Sequence, residues 1–238
     1  MRRRFSLPVF AGLLAAPLAL SACSSSPSGP SAASLIAKSQ NAISGAAAVH
    51  YVQAITLSGQ TQSVTGSVSA TQADVVSLVN KSPLLELRLV GTTMYFVSQS
   101  ASILEKNFNL TPSVAKNWTG RWISIVPSDS AYSSLISTLS IGAEVTPLYP
   151  SGSNMTVNEN AMIQGRKAIS ITGSNSSKGT SSESTIFLDP GTYLPIGATA
   201  IGRTASQTEH LAVVLNHWNE AFSVKAPTSS TPLASLSG

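Results

Sequence analysis

The sequence predicts an α+β fold in which one large antiparallel sheet bends around a few helices rather than closing on itself. Three observations predict it. Segments of strand length with period-two alternation come in two runs, about five in each half of the chain. A helical stretch separates the runs, and runs of strands with a helical insertion indicate α+β architecture. Most links between successive strands are short, as antiparallel hairpins require.

The elements follow in order. Residues 35–48 read as the first helix, because Leu35, Ile36, Ser39, Ala42, Ile43 and Ala46 form a small-residue apolar stripe near the 3.6 period. Strands come next. Tyr51, Ile55 and Leu57 share one parity, and Val64, Gly66, Val68 and Ala70 share another. Residues 74–79 form a further short strand. Leu85, Leu87 and Leu89 alternate with Glu86 and Arg88, the cleanest half-buried strand in the chain. Gly91-Thr92 turns into a strand with Met94 and Phe96 on one face.

The middle is helical. Residues 100–108 and 112–116 read as short helices, and residues 121–126 as a strand containing Trp122. Ser128 is placed to cap a helix over 129–140, where Tyr132, Leu135, Ile136 and Leu139 fit i, i+3, i+4, i+7. Strands return at 155–157, 161–164, 167–172, 184–189, 196–201 and 208–218. Residues 175–182, rich in Ser and Gly, read as a hairpin loop, and Asp189-Pro190-Gly191-Thr192 as a turn.

The N-terminus points to export. Arg2, Arg3 and Arg4 precede an apolar stretch that ends in Leu20-Ser21-Ala22-Cys23. Charge, a short apolar core and small residues before a cleavage point form the plan of a secretory signal. The stretch is too short and interrupted for a membrane span, which needs about 20 residues. Leu-Ser-Ala-Cys resembles the bacterial lipobox. That resemblance implies cleavage after residue 22 and thioether diacylglycerol on Cys23, the only cysteine in the chain, which excludes an internal disulfide. Expected organisation is a signal at 1–22, a lipidated flexible Ser/Pro tether at 23–34, one domain at 35–225 and a disordered Ser/Thr/Pro tail at 226–238.

Charge and motifs exclude several function classes. Three of the 14 basic residues are Arg2–Arg4, so cleavage leaves 11 basic against 10 acidic side chains. Nothing in that balance argues for nucleic acid or a polybasic membrane patch. His50, His210 and His217 are the only histidines. His210 and His217 have opposite strand parities, and they read as surface or strand-edge residues rather than metal ligands. There is no Gly-x-Ser-x-Gly elbow, no phosphate loop with a following lysine, and no identifiable pair of catalytic acids. The chain reads as a non-enzyme with no cofactor, no metal and no catalytic residues, and as a monomer.

Five segments, in order behind the lipobox, carry a family resemblance. They are residues 87–96 (LRLVGTTMYF), 120–127 (GRWISIVP), 164–168 (QGRKA), 186–190 (IFLDP) with Leu194-Pro195-Ile196, and Asn216-His217-Trp218-Asn219. Together they resemble the actinobacterial LppX/LprAFG-type lipoproteins of the LolA/LolB-like lipoprotein-carrier superfamily. The resemblance implies an unclosed antiparallel half-barrel of about ten strands with helices on its concave side. It also implies an acylated lipid or lipoglycan held between sheet and helices, on the outer face of the cytoplasmic membrane. Candidate lining on the strands is Ile55, Val68, Leu85, Leu87, Met94 and Phe96. Trp122, Leu135, Leu139 and Trp218 complete the set. Each of these also reads as a core anchor, and a fully packed interior would instead indicate an envelope interaction or regulatory module.

Overall fold

Two-residue turns organise the first half of the molecule. In the computed structural model, which describes residues 29–152, 154–177 and 180–236, five strands follow one another as hairpins: β1 (Ala48–Leu57), β2 (Gln60–Ser69), β3 (Gln72–Val79), β4 (Ser82–Val90) and β5 (Thr93–Ser98). Ser58-Gly59 and Asn80-Lys81 both have two consecutive residues at positive φ. That geometry matches the twist of the flanking strands.

The first helix, α1 (Ala32–Ser44), lies earlier than the expected 35–48. Ser31 caps it, its Oγ accepting the Ser34 amide at 3.2 Å. Ala48 is already in β1, paired with Ser69. The domain therefore starts near Ser31, inside the stretch expected to be tether. Signal, Cys23 and the tether up to residue 28 lie outside the described residues. The described residues from Ser31 onward cluster as a single unit.

The middle holds α2 (Ala101–Phe108), α3 (Pro112–Trp118), β6 (Ile123–Ile125), α4 (Tyr132–Thr138) and α5 (Ile141–Val145). The helix expected at 129–140 is thus shortened to α4, and α5 follows it as a separate short helix. Asp129 does not start it, because its carboxylate accepts the Val126 amide at 2.7 Å and closes a turn. Ser140 opens α5 as its cap, its Oγ accepting the Ala143 amide at 3.1 Å.

The second run comprises β7 (Thr156–Ile163), β8 (Arg166–Ser177), β9 (Thr180–Leu188), β10 (Pro195–Arg203) and β11 (Thr208–Asn216). The two strands expected at 155–164 are one strand with a register shift between Asn158 and Ala161. The loop expected at 175–182 is mostly strand, since β8 and β9 stay paired out to Ser177 and Thr180.

With a two-residue C-terminal strand, β12 (Thr231–Pro232), all strands join one unclosed sheet in the order β12-β6-β5-β4-β3-β2-β1-β11-β10-β9-β8-β7. The expected fold class holds, with twelve strands rather than about ten. The two runs meet where β1 pairs with β11, from His50↔Asn216 to Leu57↔Glu209. Parity then builds an inner, helix-covered face. Ile123, Phe96, Leu87, Val75, Gly66, Tyr51 and Leu215 are neighbours in register along one row. Val213, Ala198, Ile186, Ile171 and Val157 continue the face across the second run. Gly66 is required there. Any Cβ at that position would lie 2.5 Å from the Tyr51 ring, which lies across it.

The tail expected to be disordered is ordered through Leu236. The Val224 amide donates to Gln72 Oε1 at 3.0 Å, and Arg88 donates to the Lys225 carbonyl at 3.2 Å. Thr231–Pro232 then forms β12, parallel to the β6 edge. Leu233 and Leu236 are buried in the main core. A Ser/Thr/Pro-rich composition concealed two apolar anchors, whose burial outweighs the entropy of ordering the tail.

Candidate functional site

An opening lies at the end of the sheet where β2 turns into β3. It has a volume of about 570 Å³. One wall is the C-terminal half of α1 with its exit, contributing Gln40, Ile43, Ser44 and Ala46. Ser69 and Ala70 of the β2–β3 turn form the second, with Leu89 of β4 beneath. The elbow between α4 and α5 closes the third side through Ile136, Leu139, Ser140, Ile141 and Gly142, with Thr146 and Tyr149 beyond. Leu89 and Leu139 are buried, whereas Gln40, Ser44, Ala70, Ser140, Gly142 and Thr146 are exposed at the mouth. No lining residue carries a charge.

Local sequence explains the gap. α1 presents Ser44 and Ala46 here, which are too small to reach across to α5. The Ser140 cap redirects the chain and sets Ile141 and Gly142 across from α1. A Cβ at Gly142 would meet nothing within 4 Å. Two polar contacts hold the walls. Ser39 and Tyr149 share a 2.6 Å hydroxyl hydrogen bond from α1 to the turn after α5. The Tyr51 hydroxyl donates to the Glu144 carboxylate, tying α5 to β1. Burial raises the Glu144 carboxyl above its ordinary value, against the lowering effect of that hydrogen bond. Burial also raises Tyr51, helped by the Glu144 charge, and raises Tyr149.

The sequence-predicted lining divides sharply. Leu139 lines the opening, and so does Leu89, its neighbour in the β4 pattern. Val68, Leu87, Met94 and Phe96 lie on the inner face but are buried in solid core. Leu85 and Ile55 face inward farther along the sheet, Ile55 opposite Leu211 and Leu85 opposite Ser98. Leu135 packs half-buried against the core. Trp218 does likewise, its indole N–H donating to the Pro195 carbonyl at 2.8 Å. Trp122 is on the outer face, where the Arg88 guanidinium stacks 4.9 Å from its ring centre. Ser69, Ala70, Ser140, Gly142, Thr146 and Tyr149 were not anticipated, because nothing in their spacing reports that loops and helix ends converge.

His210 and His217 are exposed, as expected of surface histidines, but strand parity is not what separates them. His217 lies just past β11 at φ 50°, so strand parity does not place it. Its ring approaches that of His50 at 6.0 Å between centres. Burial, then the charge of His217, lowers the His50 imidazole below its ordinary value.

No family model matches the chain, and no curated protein matches it. Among solved structures it is similar to MucB in complex with MucA(peri), at 11% identity and a TM-score of 0.38. That match covers 83% of this chain and 60% of the MucB chain. It is also similar to a DUF1329 family protein from Desulfovibrio piger ATCC 29098, at 10% identity and a TM-score of 0.27. Here 79% of this chain and 92% of the other are covered. The chain thus spans less than two thirds of the MucB chain, and likenesses this distant decide neither ligand nor partner.

Proposed function

We propose that the protein is an extracytoplasmic lipoprotein, anchored through Cys23 to the outer face of the cytoplasmic membrane, that takes an acyl chain of a lipid or lipoglycan into the opening between α1, α5 and the sheet. The resemblance to the LppX/LprAFG-type carriers belongs to this reading. The observation that carries it is the uncharged opening of about 570 Å³ with a buried leucine floor and a polar mouth. Its size falls within the roughly 300–1,000 Å³ typical of ligand pockets. Each methylene buried there would contribute about 0.8 kcal/mol. A polar mouth suits an amphiphile whose head remains in water. The reading assigns no catalytic step.

A second reading rests on a different observation. Most of the expected lining, Val68, Leu87, Met94 and Phe96 among it, is packed solid. A packed interior fits an envelope interaction module. Mass spectrometry of chain starting at Ser24, purified without detergent from an actinobacterial host, separates the two. Co-purified lipid in one-to-one ratio supports the carrier reading. Empty protein that takes up no lipid from vesicles rejects it in favour of the interaction module.

A further inference from the structure

Two of the three histidines meet on the outer face, far apart in sequence and away from the apolar opening. His50 comes from β1, and His217 from the turn that follows β11. Their rings stand 6.0 Å apart between centres with planes at 72°. Each ring is already held by one nitrogen. His217 Nδ1 donates to the Glu220 carboxylate at 2.8 Å, and His50 Nδ1 lies 2.9 Å from Ser67 Oγ. No other hydrogen bond occupies either Nε2 among the described residues. Asn216 pairs in register with His50 and directly precedes His217. Its Oδ1 is buried with no hydrogen-bond partner. A cavity of about 290 Å³ opens between the two rings, Ser67, Glu220 and Phe222.

We infer that this cluster is a binding site for a divalent transition-metal ion of borderline softness, zinc being the representative probe. His50 Nε2 and His217 Nε2 are its imidazole ligands, Asn216 Oδ1 supplies a neutral oxygen, and water completes the shell. Among the described residues no three His, Cys, Asp or Glu side chains form a metal-binding group, so the site is a two-imidazole one finished by an amide. The ring spacing fits. Two imidazoles on one tetrahedral ion, at about 2.0–2.1 Å per zinc–nitrogen bond, place their centres roughly 5–6 Å apart. The Nδ1 partners fit as well. A histidine that donates Nδ1–H to a carboxylate presents its Nε2 lone pair outward and is the more basic ligand for it. Glu220 does this for His217, and Ser67 Oγ stands at the same place beside His50 Nδ1, able to accept its proton when Nε2 binds the ion. Asn216, in register with His50 and next to His217 in the chain, carries an orphaned buried amide oxygen, and the ion gives it the partner it lacks.

The consequence is structural and independent of the lipid reading. The ion ties β1 to the root of the C-terminal segment. That segment is otherwise held there by Asn219, whose amide donates to the Ala48 carbonyl and whose Oδ1 accepts the Ala47 amide.

Calorimetric titration of zinc into the tag-free full chain tests this. One ion per chain is expected. His50→Ala and His217→Ala each weaken binding at least tenfold, Glu220→Gln weakens it about tenfold as an outer-shell change does, and His210→Ala leaves it unchanged. The rise in melting temperature produced by zinc disappears in His217→Ala, read against that variant's own metal-free melting temperature, which loss of the exposed Glu220 hydrogen bond lowers only slightly. Absence of saturable zinc binding overturns the inference, as does equal loss in His210→Ala. Imidazole nitrogen NMR of the unmutated chain guards against a folding defect in the variants. Zinc must shift the His50 and His217 resonances and leave those of His210 in place, and any other pattern overturns the assignment.

Discussion

The helices meet the sheet in two contrasting ways. Over β4 and β5, α2 brings large side chains. Phe108 sets its ring edge-on to Phe96, 5.0 Å between centres, and Leu104 is fully buried beside them. The space between α2 and these strands is packed, and an opening of about 280 Å³ lies beyond it, past the C-terminal end of α2. At the other end, α1 offers Ser44 and Ala46, and the α4–α5 elbow offers Ser140 and Gly142, leaving about 570 Å³. The sheet beneath is similar in both places, with Leu89 and Met94 beside Leu87 and Phe96 in adjacent rows. Side-chain volume on the helices, not the strands, decides which end is core and which is site.

The sharpest way to break this contrast is at the filled end. Leu104→Ala removes a fully buried side chain, and loss of about 2–5 kcal/mol is expected from a cavity the packed helix cannot collapse. Denaturant unfolding measures it. Lipid retained per folded molecule should not change, because Leu104 does not line the opening. A small loss of stability would mean that α2 is less tightly seated than its burial indicates.

Gly66→Ala tests the sheet between the two ends. The new Cβ meets the Tyr51 ring at 2.5 Å, well inside contact distance. Overpacking of this kind costs about 1–3 kcal/mol. Combining it with Tyr51→Leu should cost less than the two single changes added together, since the obstructing ring is gone. Strict additivity in a double-mutant cycle would show that the ring does not rest on the glycine.

Why the fold was more legible than the site follows from these same residues. Leu85, Leu87 and Leu89 against Glu86 and Arg88 gave β4 its face, because parity is a local property that one strand displays by itself. The junction of β1 with β11 has no local sign, and it is what merges two runs into one sheet. Met94 and Phe96 pointed toward the right face, but no pattern in a strand reports whether a helix residue such as Phe108 will fill the space above it. Conversely, the mouth of the opening is made of Ser, Gly and Thr at helix ends and turns, residue types that read as linkers in any sequence. Trp122 was placed on the wrong side of the sheet in function. Its parity is that of Ser124, facing outward, and Arg88 covers it there.

Gly142→Leu sharpens the comparison from the open end. The site has room for the side chain, and a helix gains about 0.5–1 kcal/mol when glycine is replaced by a residue with normal backbone entropy. Stability should therefore hold or rise slightly while co-purified lipid falls about tenfold, read by mass spectrometry of the detergent-free protein. Undiminished lipid in this variant would place any binding elsewhere.

The smallest effect concerns the tie between α5 and the sheet. Glu144 has a raised folded-state value, its burial outweighing the hydrogen bond from Tyr51. A carboxyl raised in this way binds its proton more tightly folded than unfolded. Its stabilising contribution is therefore complete below the unfolded-state value and is lost as pH climbs through the folded one. Glu144→Gln keeps an oxygen to accept from Tyr51 and carries no charge to desolvate. Relative to the parent, the variant should gain in melting temperature between acidic and neutral pH, by a few degrees at most. It should also bind lipid as the parent does, since Glu144 is not among the residues lining the opening. If the parent instead gains on the variant as pH rises, the carboxylate is better served by its Tyr51 hydrogen bond than harmed by burial, and α5 is held by charge rather than in spite of it.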